Sequence, residues 1–191
     1  MNQAITTIKA RSTAYVKSRL FLMDLAKVSI ATLCLSLLAL AKVPIEPVPI
    51  TLQTLGVFLI GLTLRPSLAV ASVMLYLGGA TAGLPILSGM LINPFWIIGP
   101  SGGFLLGFIP AAFVISYISG KTKNKSFVKT IFALIAGQAI IYLFGVSWLS
   151  TLIGLKKAIA FGIMPFLPGM AYKVLLSASL FKPISYVRKK I

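Results

Sequence analysis

Six apolar stretches alternate along the chain with short segments that carry charge, proline or glycine. They cover about residues 20–43, 50–64, 67–85, 102–119, 128–148 and 162–181. Runs of this kind are typical of helices that cross a hydrocarbon layer about 30 Å thick. The second is the shortest, because a helix over residues 50–64 would rise only about 22 Å. The pattern predicts an all-α membrane protein with six transmembrane helices in a single domain, residues 1–191.

The composition of the chain supports this prediction and indicates whether lipid or nucleic acid surrounds the protein. Hydrophobic residues make up 58% of the chain, which is too apolar for a soluble domain with a wetted surface. A net charge of +16 also occurs in nucleic-acid-binding proteins, but here the basic residues collect between the apolar stretches instead of lining one helix face. Basic residues beside spans are typical of topology signals and of contacts to anionic headgroups. We therefore expect a lipid bilayer around the protein and no nucleic-acid partner.

The same basic residues predict an orientation, because cytoplasmic loops and ends retain Lys and Arg. With six spans, one side receives Lys9, Arg11, Lys17, Arg19, Lys27, Arg65, Lys121, Lys123, Lys125, Lys129, Lys182, Arg188, Lys189 and Lys190. The other side receives only Lys42, Lys156 and Lys157, and Lys173 lies inside the sixth span. Both termini are therefore predicted to be cytoplasmic, with the protein in the cell membrane.

A cleaved signal peptide is an alternative interpretation of the first span. Its basic start, its apolar core over residues 28–41 and its Ala39-Leu40-Ala41 ending fit the pattern of such a peptide. Cleavage would leave five spans and would place the two ends on opposite sides. The intact chain with six spans is favoured because it keeps the charge asymmetry, and the alternative stays open.

Reactive side chains are scarce. The chain has one cysteine, Cys34, no histidine, and only two acidic residues, Asp24 and Glu46. One cysteine excludes an internal disulfide, and the missing histidine and thiol ligands argue against a zinc site. General acid and base chemistry would also have few groups to use. We therefore expect a protein that is not an enzyme and that needs no metal or cofactor.

The segment over residues 43–50 lies on the predicted outer side and is rich in proline. Pro44, Pro47 and Pro49 remove amide donors and favour a stiff, extended backbone that is able to cross the mouth of a cavity. Glu46 is then either a solvated loop charge or, together with Pro47 and Pro49, part of a gate. The sequence leaves both interpretations open.

The uncharged connection over residues 85–103 lies on the same side. It is either a surface hairpin, with Phe95 and Trp96 among the headgroups, or the wall of a cavity. The second interpretation follows because irregular backbone at membrane depth needs cover from protein or a water-filled space.

Lys173 is the strongest single signal for a binding site. An ammonium group inside a span costs at least about 2.5 kcal/mol and should find an anion or a cavity. The chain offers few anions, so the counter-ion is expected to be a ligand; the alternative is a side chain that extends to the headgroups. Pro165, Pro168 and Gly169 predict that a helix restarts near Pro168, whose positive end would also favour a carboxylate.

Other polar side chains lie at helical spacing within the spans. Thr51, Gln53 and Thr54 begin the second span, and Gln138 and Tyr142 are one turn apart in the fifth. Each group either holds a neighbouring helix or lines a pocket. Gly145, Trp148 and nearby phenylalanines are expected to supply the apolar walls of that pocket.

Four motifs then agree in order and spacing with a known family. They read P-V-P-I-T-L-Q-T-L, L-Y-L-G-G-A-T-A-G-L-P, I-G-P-S-G-G-F-L-L-G-F and F-L-P-G, the last followed by Lys173. Over about residues 28–181 the chain resembles the BioY family of biotin transporters. The resemblance implies a six-span S component of an energy-coupling factor importer, which binds biotin near the extracellular face under the loop between spans one and two.

The resemblance also implies partners and shows two departures. A scaffold membrane protein and an ATPase pair usually drive uptake in such systems, and this chain has no Walker motif of its own. Met170 stands where the family motif P-G-D-x-x-K has an aspartate. Thr32 and Ser36 stand where related components carry Ala-x-x-x-Ala for docking, so the chain is expected either to dock or to work alone or as a homo-oligomer.

These observations define the expected site. Lys173 is predicted to pair with the ligand carboxylate, and Gln53, Gln138 or Tyr142 to hydrogen-bond the ring, with Thr51 and Met170 also in the binding site. The alternatives are an S component for another small carboxylated vitamin, or a membrane scaffold subunit that binds no ligand.

Overall fold

A computed structural model describes residues 2–89, 92–120 and 127–187, with side chains over residues 18–89, 92–120 and 127–181. The helices are α1 (Asn2–Leu40), α2 (Gln53–Thr63), α3 (Pro66–Thr81), α4 (Gly102–Gly120), α5 (Phe127–Ile153), α6 (Leu155–Gly162) and α7 (Leu167–Val187). Two short strands, β1 (Lys42–Val43) and β2 (Ile50–Thr51), and two 3-10 turns, Trp96–Ile98 and Met164–Phe166, complete the described elements.

All six predicted stretches are mainly helical, but they differ in length. Four helical segments are long and apolar enough to cross a membrane by themselves: Ser18–Leu40, Gly102–Gly120, Phe127–Ile153 and Leu155–Phe181. The helices α2 and α3 are shorter, with 11 and 16 residues, and α2 would rise only about 16 Å. The structure therefore describes a mostly helical protein with four candidate membrane spans and two shorter apolar helices.

The predicted bounds of several spans need correction. The second span begins at Gln53 and not at residue 50, because Ile50 and Thr51 form a strand. The third ends at Thr81, and Gly83 follows with a φ of +87°, a left-handed conformation that suits glycine after a helix. The fifth continues to Ile153. The predicted restart near Pro168 is confirmed, since α7 begins at Leu167.

The helices α4 and α5 pack at very short distance along one face. A Cβ atom at Gly107 would lie 3.1 Å from the Cα of Ile141, and one at Gly103 would overlap the side chain of Trp148. Glycine at these two positions therefore lets the two backbones approach, as small residues do between membrane helices. The pair forms a firm support for the elements around it.

The proline-rich segment folds back on itself as a small hairpin. Lys42 pairs with Thr51 and Val43 with Ile50 in antiparallel register, and the bond between Glu46 and Pro47 is cis. The segment is therefore a hairpin and not the extended strap that its prolines predict, because the two flanking pairs close it. We call the end of the bundle that carries this hairpin the hairpin end.

The 83–101 loop lies at the same end and is fastened to the bundle by hydrogen bonds. Gly89 N donates to Ala39 O at 3.1 Å, and Trp96 Nε1 donates to Thr81 Oγ1 at 3.1 Å. Trp96 is only 4% exposed, whereas Phe95 is 73% exposed. The interpretation of this loop as packed wall is therefore correct, and the placement of Trp96 among the headgroups is wrong.

The first helix is part of the core. Leu35 and Ala39 are fully buried, and Thr32 Oγ1 donates to Ser72 O of α3 at 2.9 Å. A cleavage after Ala41 would remove these side chains from the core, which favours the intact chain over the signal-peptide interpretation.

The opposite end of the bundle, which we call the Asp24 end, carries the described ion pairs. The carboxylate of Asp24 accepts from Arg65 at 2.6 Å and from Lys27 at 3.2 Å. These contacts join α1 to the turn between α2 and α3. Lys121, Lys123, Lys125, Arg188, Lys189 and Lys190 lie outside the described residues, so the charge asymmetry that they predict remains a prediction.

Candidate ligand-binding site

A cavity of about 200 Å³ lies inside the hairpin end. One ordered water needs only about 10–15 Å³, so the cavity is large enough for a small organic molecule. The hairpin, the 83–101 loop and helices α2, α4, α5 and α7 supply its walls, and all six predicted substrate-binding residues are among the lining residues: Thr51, Gln53, Gln138, Tyr142, Met170 and Lys173.

Lys173 points from α7 into this cavity. Its side chain is buried, with 7% exposed, and its Nζ donates to Thr51 O at 2.6 Å and to Thr54 Oγ1 at 3.0 Å. The alternative in which Lys173 extends to the headgroups is therefore wrong. These two bonds tie the second turn of α7 to the end of the hairpin and the start of α2.

The ammonium group of Lys173 has no carboxylate beside it. The chain contains only Asp24 and Glu46 as acidic residues; Asp24 lies at the other end of the bundle, and in the part of the chain that the structure describes Glu46 is exposed and forms no ion pair. Two neutral oxygens satisfy two of its three N–H groups. A buried cation without a negative partner stays costly to desolvate, so the cavity favours an anionic group on its ligand.

Met170 faces the same cavity, one turn before Lys173 on α7. Its side chain is partly buried and packs against the apolar core. The side chain that stands in place of the family's aspartate is therefore an apolar wall, and it leaves Lys173 uncompensated.

Gln53 uses its polar atoms within the protein. Its Nε2 donates to Tyr76 Oη at 2.5 Å, and its Oε1 accepts from Thr51 Oγ1 at 3.0 Å. Gln53 therefore both lines the cavity and holds α2 against α3, so the two interpretations from the sequence apply together.

Two hydroxyl groups at the cavity make no well-formed hydrogen bond among the described residues, although the side chain of Gln138 lies beside one of them, that of Tyr142. They are the buried hydroxyls of Tyr142 on α5 and Ser88 in the 83–101 loop. Gln138, one turn before Tyr142, lines the same wall. Because buried polar atoms are nearly always hydrogen-bonded, these hydroxyls are suited to polar groups of a ligand.

Only one of the three predicted gate residues lies at the cavity. Pro49 lines the cavity, whereas Glu46 and Pro47 lie outside its lining. Glu46 is exposed at the tip of the hairpin, which fits the solvated loop charge better than the gate.

The predicted apolar walls at Gly145 and Trp148 are wrong. Gly145 packs against the ring of Phe104, and Trp148 Nε1 donates to Gly99 O at 3.0 Å. Neither residue is part of the lining, because Phe104 lies between Gly145 and the cavity. Both residues support the wall from behind.

Phenylalanines and the 85–103 connection were expected to supply walls, but several lining residues were not named individually from the sequence: Ser88, Asn93, Ser101, Phe104, Phe108 and Phe166. The rings of Phe104 and Phe166 stack at a centroid distance of 6.3 Å and close the cavity between α4 and the turn before α7. The sequence motifs around Gly102 and Leu167 contain these phenylalanines. Only the packing of the helices shows which of them face the cavity.

The described residues hold no group of three or more His, Cys, Asp or Glu side chains that is able to bind a metal ion. The polar groups of the cavity are one cation, three amides and several hydroxyls. This set is able to bind and orient a small anionic molecule by charge and hydrogen bonds.

The fold and the sequence both match known proteins. A protein of 36% identity over 146 residues, 72% of this chain and 78% of the relative, is the biotin transporter BioY of Rhizobium etli. Another, of 35% identity over 144 residues, 75% of this chain and 84% of the relative, is the biotin transporter BioY of Thermotoga maritima.

A solved structure has the same fold. It is the crystal structure of the S-component for biotin from an ECF-type ABC transporter, with a TM-score of 0.80 and 26% identity, and the match covers 88% of this chain and 93% of that one. The model of the BioY family matches residues 7–190. With this match over nearly the whole length, the chain belongs to the BioY family.

Proposed function

We propose that this protein takes up biotin across the cytoplasmic membrane as the substrate-binding component of an energy-coupled importer. It is a multi-pass membrane protein of a transporter family and not an enzyme. The observation that carries the proposal is Lys173, a buried cation that lines the cavity and has no carboxylate beside it. Biotin supplies a carboxylate at the end of an apolar tail, which is the chemistry that such a cavity lacks.

The lining suggests how the parts of biotin are held. The carboxylate pairs with Lys173, whose third N–H group is available. Tyr142, Gln138 and Gln53 offer hydrogen bonds to the ring, and the stacked Phe104 and Phe166 cover the apolar parts. Thr51 orients Lys173 through its carbonyl oxygen.

The proposed topology places the hairpin end outside and both termini in the cytoplasm, with six crossing segments. The fourteen basic residues that a six-span topology places on one side of the membrane support this orientation. The short helices α2 and α3 then cross within a bundle whose other helices cover them. Delivery inward takes place by a change in helix packing around the cavity.

Energy-coupling subunits are the proposed partners. The likeness to an S component of an ECF-type ABC transporter supports them. The face of α1 at Thr32 and Ser36 is already used inside the chain, since Thr32 bonds to α3 and Ser36 Oγ bonds to Thr32 O at 2.9 Å. Docking is therefore expected on another face of α1.

The direct test is equilibrium binding of labelled biotin to the purified protein, with biotin methyl ester as a competitor. We expect saturable binding that biotin displaces and the neutral ester displaces much less, because the ester cannot pair with Lys173. Absence of binding would favour the scaffold alternative. Binding with no preference for the free acid would remove Lys173 from the carboxylate site.

A second candidate is an importer component for a different small carboxylated vitamin. Met170 is the observation that favours it, because an acidic group expected for recognition of the polar ring is replaced. Displacement of labelled biotin by a panel of carboxylated vitamins separates the two. Uptake by a host without its own importer, with and without coupling subunits, then tests whether those subunits are needed.

A further inference from the structure

A chain of hydrogen bonds leads from the cavity cation to the 83–101 loop through a residue outside the cavity. Lys173 Nζ donates to Thr51 O at 2.6 Å, and Thr51 Oγ1 donates to Gln53 Oε1 at 3.0 Å. Gln53 Nε2 donates to Tyr76 Oη at 2.5 Å, and Tyr76 Oη donates to Ile86 O at 2.9 Å. Tyr76 is fully buried on α3 and does not line the cavity.

The Tyr76 hydroxyl is the only link in this chain that reaches the 83–101 loop, among the described hydrogen bonds. The hydroxyl accepts a hydrogen bond from Gln53 on α2 and donates one to Ile86 in the loop, so it acts as acceptor and donor at once. Leu87 and Ser88 directly follow Ile86, and both line the cavity. The position of the Ile86 carbonyl therefore sets where this part of the wall lies.

We infer that Tyr76 is a positioning residue that holds the 86–88 segment closed over the bound ligand. This inference rests on the proposed function, because it assigns a role in ligand retention to a residue that does not touch the ligand. Opening the segment requires the Tyr76 to Ile86 bond to break inside the protein. The bond is partly buried, and an acceptor shielded from water that loses its donor is costly, so this bond slows opening.

Tyr76→Phe removes the hydroxyl and keeps the ring. It leaves the Ile86 carbonyl and the Gln53 amide without this partner, so the closed wall loses stability relative to an opened one. Release of the ligand should therefore be faster. Association should change little, because changes at a binding site mostly alter the dissociation rate.

Ser72→Ala is a matched control on the same helix. Ser72 is fully buried one turn before Tyr76, and among the described residues its hydroxyl bonds only to Leu68 O of its own helix, at 2.8 Å. This variant also removes one buried hydroxyl from α3, but it breaks no link to the 83–101 loop.

The experiment measures biotin association and release for the purified wild type and both variants, together with the unfolding temperature without ligand. We expect Tyr76→Phe to release labelled biotin about five- to tenfold faster, with association within about twofold of the wild type. Ser72→Ala should match the wild type in both rates.

Each other outcome has a distinct meaning. No binding by the wild type would overturn the proposed function together with this inference. Binding by the wild type with unchanged release from Tyr76→Phe would overturn only the inference. Equal acceleration in both variants, or a lower unfolding temperature without faster release, would show a general packing role and would also overturn it.

Discussion

At the Asp24 end of the bundle one carboxylate faces two cations, whereas at the hairpin end one cation faces no carboxylate. The side chains of Asp24 and Arg65 are 25% and 62% exposed, so water and ions screen their contact. Lys173 is 7% exposed and bonds to two neutral oxygens. The exposed cations at the Asp24 end therefore have a carboxylate partner, although pairing there adds little stability. The buried Lys173 has none, although an unpaired charge costs most in a buried position.

This difference separates a structural contact from the proposed binding site. Exposed ion pairs contribute about 0–1 kcal/mol to stability, so the Asp24 contacts do little more than orient the turn between α2 and α3. A buried charge without a partner is a large local cost, and a ligand carboxylate would offset it. The uncompensated cation lowers the stability of the empty protein and raises the affinity for an anion.

The largest expected effect comes from removing the cation. Lys173→Met keeps most of the side-chain volume, and we expect biotin affinity to fall by at least about 30-fold, since losing one partner of a buried charge pair costs about 2–5 kcal/mol. The unfolding temperature of the ligand-free protein should not fall, because a desolvated charge is removed. Equilibrium binding and thermal unfolding measure the two quantities.

Lys156→Met is the control for that prediction, because Lys156 is an exposed lysine on α6. It should leave the affinity within about twofold, as expected for a solvated surface charge. A similar loss in both variants would contradict a specific role for Lys173.

The next effect comes from supplying the missing carboxylate. Met170→Asp places an acid three residues before Lys173 on the same helix face, where it competes with the ligand for the ammonium group. We expect biotin affinity to fall about tenfold, while Met170→Asn, of similar size but uncharged, should lose less. Tighter binding by the aspartate variant would show that the acid serves the ring and that the competition argument is wrong.

A smaller effect is expected at Tyr142. Tyr142→Phe removes a buried hydroxyl that makes no well-formed hydrogen bond among the described residues and has only the Gln138 side chain beside it, so the empty protein should lose little stability. Biotin affinity should fall about three- to tenfold if this hydroxyl bonds the ligand. Isothermal titration of both proteins tests this, and unchanged affinity would remove the Tyr142 hydroxyl from the site.

The smallest effect is expected at the other end. Asp24→Asn removes the described ion pairs but should change the free energy of unfolding by less than about 1 kcal/mol and leave biotin affinity within about twofold. The difference from the wild type should shrink further at high salt. A large loss of binding would mean that the two ends are coupled.

Much of the fold followed from the sequence because lipid imposes a simple rule. Every backbone polar group inside the membrane must be satisfied within the chain, so the long apolar runs had to be helices, and the bounds of α4 were located closely. The second span was placed too early, at residue 50, because strand pairing of Ile50 with Val43 depends on how the hairpin closes. Local hydrophobicity does not contain that information.

Residues of the candidate site could be predicted where a charged or polar side chain occurs within an apolar span. Lys173 is a charge in an apolar span, and Gln53, Gln138 and Tyr142 are polar at helical spacing, so each could be selected from the sequence alone. Gly145 and Trp148 were assigned wrongly because an apolar residue gives no sign of the direction that it faces.

The sequence by itself indicated a helical membrane protein with one lysine inside an apolar span and the motifs of the BioY family. Only the tertiary structure decided that Lys173 bonds to Thr51 and Thr54, that Phe104 and Phe166 close the cavity, and that Tyr76 links the loop to α2. The physical reason is the sequence separation over which each effect acts. Hydropathy and charge act along the chain, whereas a cavity wall is made by residues far apart in sequence whose helices meet only after packing.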